Sequence, residues 1–240
     1  MNAVAGGGSF ISFPALLFTG VPPIPANATN TFALWVGTAA SGSAYRKRLT
    51  VTKRVLIPLG LACVVGGLAG AFLLIHTPGQ RFLKVLPWLM LGATLLFAFG
   101  QRLTQGLSAR VFHEATTAAL VTAVIVELII ATYGGYFGGG IGIMNLAMFA
   151  ALGMTDIHAM NALKVVLGSV INGVATVTFV VTGVVIWAPA AVMTAGAFVG
   201  GYGGAHFAQK LPQSWIKRFV ICVGAMMSTY FFWRAYRRPF

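Results

Sequence analysis

Asn161, Lys164, Gly168 and Asn172 follow one another at i, i+3, i+7 and i+11 within an otherwise apolar run. On a helix of 3.6 residues per turn these four share one face, so a cation and two amides form a single stripe. An ammonium in a dry setting is a point charge for an anion, and amides add hydrogen bonds in both senses. Just upstream, Gly138-Gly139-Gly140 leads into the short apolar stretch 141–152, which carries Asn145. A helix that opens at glycine presents free backbone amides and the positive end of its dipole, a second attraction for negative charge. Lys164, Asn161, Asn172, Asn145 and Gly140 are therefore candidate contacts for a small anionic solute.

A shift of 134 positions finds Asn27, Asn30, Leu34 and Thr38 on the matching face of an earlier run, with Thr29 alongside and Gly8 closing an earlier glycine run. A polar stripe present twice suggests two walls of one cavity. The competing explanation is interhelical hydrogen bonding, which Asn and Thr provide in many bundles. Lys164 favours the cavity, because a lone charge inside an apolar span is costly. Glu127 is the only acid within a span, and a carboxyl that gains and loses a proton as solute passes makes it the candidate for proton coupling. A structural ion pair between Glu127 and Lys164 is the plainer alternative.

No Ser-His-Asp grouping, paired carboxylates or metal-ligand spacing is present, so the sequence does not read as an enzyme and calls for no cofactor and no metal. His76, His113 and His206 are scattered, and Cys63 and Cys222 fall mid-span, where they read as packing residues. The run 138–142 lacks the Lys-Ser/Thr that follows a phosphate loop. Asp156 and His158 sit in a link, where solvated polar residues need no functional role.

These residues must be positioned by membrane helices. The chain is 58% hydrophobic and 8% charged, with mean hydropathy +0.87, too dry for a soluble surface. Sixteen basic residues against three acids prompt a nucleic-acid reading, but the charges lie in short loops between apolar spans, so no nucleic acid is expected. The fold class expected is an all-α polytopic membrane protein. Its seven transmembrane helices are 26–45, 55–75, 85–100, 115–133, 159–182, 187–208 and 215–233. Two Gly-led pieces, 9–18 and 141–152, are too short to cross and read as half or re-entrant helices.

Ordered matches at an offset of 132 to 134 run through the chain: Gly6 to Gly8 with Gly138 to Gly140, Asn27-Ala28 with Asn161-Ala162, Gly66 to Ala71 with Gly200 to Ala205. They divide one membrane domain into a first repeat, 1–110, and a second, 111–240. The first has no counterpart of the span 115–133 and is N-terminally incomplete, which is read as a chain beginning downstream of its full start. The cluster Arg46 to Arg54 places that loop in the cytoplasm. If 141–152 is re-entrant, the repeats are parallel and the C-terminus lies inside; if it crosses, they are inverted and the C-terminus lies outside. The charge rule scores both alike, and length favours the re-entrant version.

The opening GGGSFISFPALLFTGVPPIPANATNT resembles the signature of the sulfite exporter TauE/SafE family, also called the toluene sulfonate uptake permease family. The matching features are Gly6 to Gly8, Pro14, Gly20 and Ala26-Asn27-Ala28-Thr29. The stretch from Gly138 to Asn161 is similar to that family's second half. The resemblance implies a multi-pass inner-membrane secondary transporter, an exporter of sulfite, organosulfonates or related small anions. The family's usual eight spans are departed from here by the absent first one. Import of another organic anion, or a non-transporting scaffold or assembly role, are the alternatives. The expected partners are a small anionic solute and the lipid bilayer, and the sequence leaves the oligomeric state open, a homodimer included.

Overall fold

The computed structural model describes residues 8–45, 51–105, 117–154, 156–208 and 213–237. Expectations on Gly6, Gly7, Arg46 to Arg48 and His113 lie outside the described residues, as do those on the side chains of 198–208. Among the described residues the chain is all-helical. The elements are α1 (Ser9–Phe18), α2 (Pro23–Tyr45), α3 (Lys53–His76), α4 (Gly79–Gln105), α5 (Thr117–Tyr136), α6 (Ile141–Ala151), α7 (Ile157–Val181), α8 (Trp187–Ala208) and α9 (Gln213–Arg237). Three of these, α3, α5 and α7, are long and apolar enough by length and composition to cross a membrane, while α1 and α6 are short apolar helices.

The middle of α3 is built inside out compared with a helix of a soluble protein. On α3 the large side chains Ile57, Leu61, Val65, Leu68 and Phe72 are exposed, and Gly66, Gly67, Gly70 and Ala71 are buried. Lipid solvates the large residues as well as a protein core does, so the small ones are left to bring helices together. They do so against α5. A Cβ on Gly70 would lie 2.0 Å from the Thr132 carbonyl, and one on Gly135 would lie 2.2 Å from the Gly67 carbonyl. The register Cys63 to Glu127, Gly66 to Ala131 and Gly70 to Tyr136 makes α3 and α5 parallel. Ile171 of α7 touches both Gly67 and Gly134, closing a three-helix group that shares one apolar core with α6.

A second core joins α1, α4 and α9, with Phe13 at its centre. The Phe13 ring meets Phe82 at 6.2 Å and Phe137 at 6.0 Å, both edge-on. Here α4 and α9 are antiparallel: Gly224 faces Thr94, and further on Trp88 Nε1 donates to Tyr236 Oη at 3.1 Å.

Helix directions correct one expectation. Asn27, near the start of α2, donates to the Tyr136 carbonyl at the end of α5 (2.9 Å). Two residues on, Thr29 Oγ1 accepts from the amide of Ile186, just past the end of α7 (3.0 Å). So α5 and α7 finish at the same end of the bundle, and α7 must start at the other. Residues 137–151 therefore carry the chain from one end towards the other instead of returning it, contrary to the re-entrant reading. A glycine loop plus a short helix covers distance that the helix alone does not, so apolar length by itself understates the reach of this segment.

Candidate functional site

The site is assembled around the start of α6. Gly140 is its N-cap, in the left-handed region at φ 83°, a conformation that costs a side-chain-bearing residue ~1–2 kcal/mol. Gly138 is also left-handed, at φ 79°. Of the first-turn amides, Ile143 donates to the Gly140 carbonyl at 3.0 Å, while those of Ile141 and Gly142 have no acceptor within the helix. The chain enters this loop from α5 and leaves α6 through residues 152–156, where Asp156 Oδ1 accepts from the amide of His158 at 2.8 Å. That is an N-cap for α7, so Asp156 has a structural role.

The predicted stripe on α7 faces this start. A Cβ on Gly142 would lie 3.2 Å from Lys164 Cδ, so the lysine stem lies along the first turn of α6. One helical turn away, Gly168 faces the Ile141 side chain, and a Cβ on Gly138 would lie 3.7 Å from Asn172 Oδ1. Lys164, Gly168 and Asn172 thus follow the loop and half-helix position by position. Lys164 Nζ donates to Asn161 Oδ1 at 2.8 Å, and Asn161 Nδ2 donates to the Ile157 carbonyl, so the amide is fixed with its oxygen towards the ammonium. The ion pair with Glu127 is not formed: Lys164 is held by Asn161, and Glu127 Oε2 has no hydrogen-bond partner.

Asn145 stands one turn after Gly142 on the same helix face. It is fully buried, and neither its amide nitrogen nor its oxygen has a protein partner. A buried amide with nothing to bond costs ~1–3 kcal/mol, and such groups in native proteins point to a ligand, water or a functional role.

The wall expected from the first half is only partly there. Asn30 is buried and accepts a hydrogen bond from Ser12 Oγ on α1, whose N-cap is Gly8. Asn27 is buried too; its nitrogen holds the Tyr136 carbonyl and its oxygen has no partner. Thr29 and Thr38 are not brought into the group. Thr29 tethers the chain at Ile186, and Thr38 bonds the Leu34 and Trp35 carbonyls of its own helix. Spacing reads both hydroxyls as cavity-lining; Thr38 instead returns to its own helix backbone, which a β-hydroxyl does at no packing cost, and Thr29 is taken up by a distant amide.

The two half-helices approach from opposite ends. Ser12 meets Asn30 across the α1–α2 hairpin, and Ile141 meets Gly168 across the α6–α7 hairpin. Since α2 and α7 are antiparallel, tied by Trp35 Nε1 to the Ser169 carbonyl at 3.1 Å and by Thr29 to Ile186, the starts of α1 and α6 both point inward.

Glu127 lies apart from this group, fully buried, with Cys63 Sγ donating to Oε1 at 3.0 Å. Sequence reading assigned Cys63 to packing. The thiol and carboxyl are 64 positions apart on neighbouring helices, and no spacing rule links them.

A search against known families matches residues 1–231 to the one described as Sulfite exporter TauE/SafE. The chain belongs to that family. Relatives include a "Probable membrane transporter protein ORF9" of Sinorhizobium, 27% identical over 228 residues, covering 95% of this chain and 85% of the relative. A "Probable membrane transporter protein" of Haemophilus influenzae is 29% identical over 229 residues (95% and 88%). The "Probable membrane transporter protein YfcA" of Escherichia coli K12 is 28% identical over 229 residues (95% and 83%). No solved structure matches. This TauE/SafE member is a multi-pass transporter of the cell membrane and not an enzyme.

Proposed function

We propose that the chain is a secondary transporter that exports small anions such as sulfite or organosulfonates across the inner membrane. The anion binds where Lys164 meets the first turn of α6. The observation that carries this reading is the lysine stem at 3.2 Å from the Gly142 Cβ position, with the unpartnered Asn145 amide one turn further on. Asn161 aims the ammonium, Asn145 and Asn172 offer amide hydrogen bonds, and the free amides after Gly140 supply the rest. Asn27 and Asn30, with the start of α1 at Gly8, form the facing side.

Seven full-length crossings and two broken passes make up the membrane domain in this proposal, as two repeats of opposite orientation. Supporting it, α2 and α7 are antiparallel, as are α4 and α9, which is how inverted copies pair. Alternating access then uncovers the centre to each face in turn. Glu127 couples the cycle to protons, supported by its full burial and its unpartnered Oε2.

Flux of labelled sulfite, taurine and sulfoacetate into proteoliposomes tests the cargo and the site together. Loss of a charge-assisted contact is worth ~1.5–3 kcal/mol, so Lys164→Gln should lower flux at subsaturating anion by about 10- to 100-fold. Wild-type flux by that variant overturns the site. Failure of all three anions to move, with a stable complex co-purifying, favours a scaffold.

A further inference from the structure

The amides offered to the anion belong to a soft piece of chain, two left-handed glycines around Gly139. Something must hold that loop in one conformation. Tyr133, in the last turn of α5, does so twice over. Its backbone carbonyl accepts from the amides of Phe137 (2.9 Å) and Gly138 (3.3 Å), and its side-chain hydroxyl donates to the Gly139 carbonyl at 2.7 Å. The ring is braced edge-on by Phe137 at 6.2 Å, and Phe137 in turn by Phe13.

In a trans peptide the C=O and N–H of one unit point in opposite directions. Fixing the Gly139 oxygen on the Tyr133 hydroxyl therefore turns the Gly140 N–H the other way and sets the plane from which Ile141 and Gly142 continue. A Cβ on Gly140 would lie 3.3 Å from the Ala93 methyl of α4, so the loop packs close to that helix and has little room there for a side chain. Asn172 and Asn27 touch Gly138 and the Tyr136 carbonyl, but neither donates to a carbonyl of 138–140 in the described structure.

We infer that Tyr133 is a positioning residue for anion recognition: its hydroxyl orients the peptide that opens α6, and through it the amides that meet the solute. This rests on the binding site proposed above. The hydroxyl touches no solute itself, so its loss should weaken binding and leave turnover largely intact.

The full chain in proteoliposomes, with labelled sulfite as the probe, gives the test. A neutral hydrogen bond is worth ~1 kcal/mol, so Tyr133→Phe should raise the half-saturating sulfite concentration about fivefold, with the maximal rate within about twofold of wild type. Incorporating 4-aminophenylalanine at position 133, which keeps a donor in place, should restore the wild-type value. An unchanged half-saturation, or a fall in maximal rate alone, overturns the inference, as does failure of the amino analogue to rescue. A second readout is independent of the cargo: amide hydrogen exchange in unliganded protein should accelerate at 139–142 in Tyr133→Phe and not elsewhere in α5 or α7. Unchanged exchange there overturns the inference even if Lys164 proves essential; accelerated exchange with sulfite not carried leaves the latch standing and removes the cargo.

Discussion

A carboxyl group with no exposed surface and one oxygen without a partner is held at a cost that a merely structural residue would shed. Glu127 is in that condition, with a thiol as the donor to its other oxygen. If its proton is the coupled one, Glu127→Gln should still bind and exchange anion while losing the dependence of net flux on an imposed pH gradient. Paired flux assays with and without the gradient check this, and a variant that keeps the full dependence sinks the coupling. At this scale the sequence was informative where a residue was out of place: Lys164 and Glu127 stand out because charge in an apolar span is rare. It was uninformative where the partner was backbone. Asn27 holds a carbonyl 109 positions away and Thr29 an amide 157 away, so neither carries a local signal of its task.

Between elements, the seam of α3 and α5 is set by the absence of side chains. Gly70→Ala would drive a methyl group into the Thr132 carbonyl, and overpacking of this kind costs ~1–3 kcal/mol. Gly60, on the same helix, has nothing within 4 Å of its Cβ position, and Gly60→Ala should be neutral or mildly stabilising. Thermal melting in detergent distinguishes the two: a clear drop in midpoint for position 70 and none for position 60 is the expected pattern, and equal behaviour of both refutes the seam. The glycine run at 66–70 stands out in the sequence as part of a repeated pattern, which does not say which helix it meets. The bounds of α1 and α6 were legible too, from apolar length and leading glycines. Direction was not, because loop 137–140 adds reach that composition does not reveal.

For the molecule as a whole, the ties of Asn27 and Thr29 put the ends of α5 and α7 together, and the Trp88–Tyr236 bond puts the end of α9 beside the start of α4. The tail should therefore share a face with His76 and oppose Lys53. In a Cys222→Ser background, an impermeant thiol reagent applied to intact cells should label His76→Cys and Pro239→Cys alike and spare Lys53→Cys; labelling that groups Pro239→Cys with Lys53→Cys instead would return the repeats to the parallel form. The two cores follow the same logic, since α3 packs with second-half helices and α2 with α8. Helices from either side of residue 110 are thus interleaved in space. At the crossing of α2 and α7 the Trp35 indole lies 3.0 Å from the Cβ position of Gly173 while bonding the Ser169 carbonyl. An aromatic plate set against bare backbone opposes sliding of one rod along the other, and the Thr29–Ile186 bond, beyond the end of α7, keeps a second point of the pair in register.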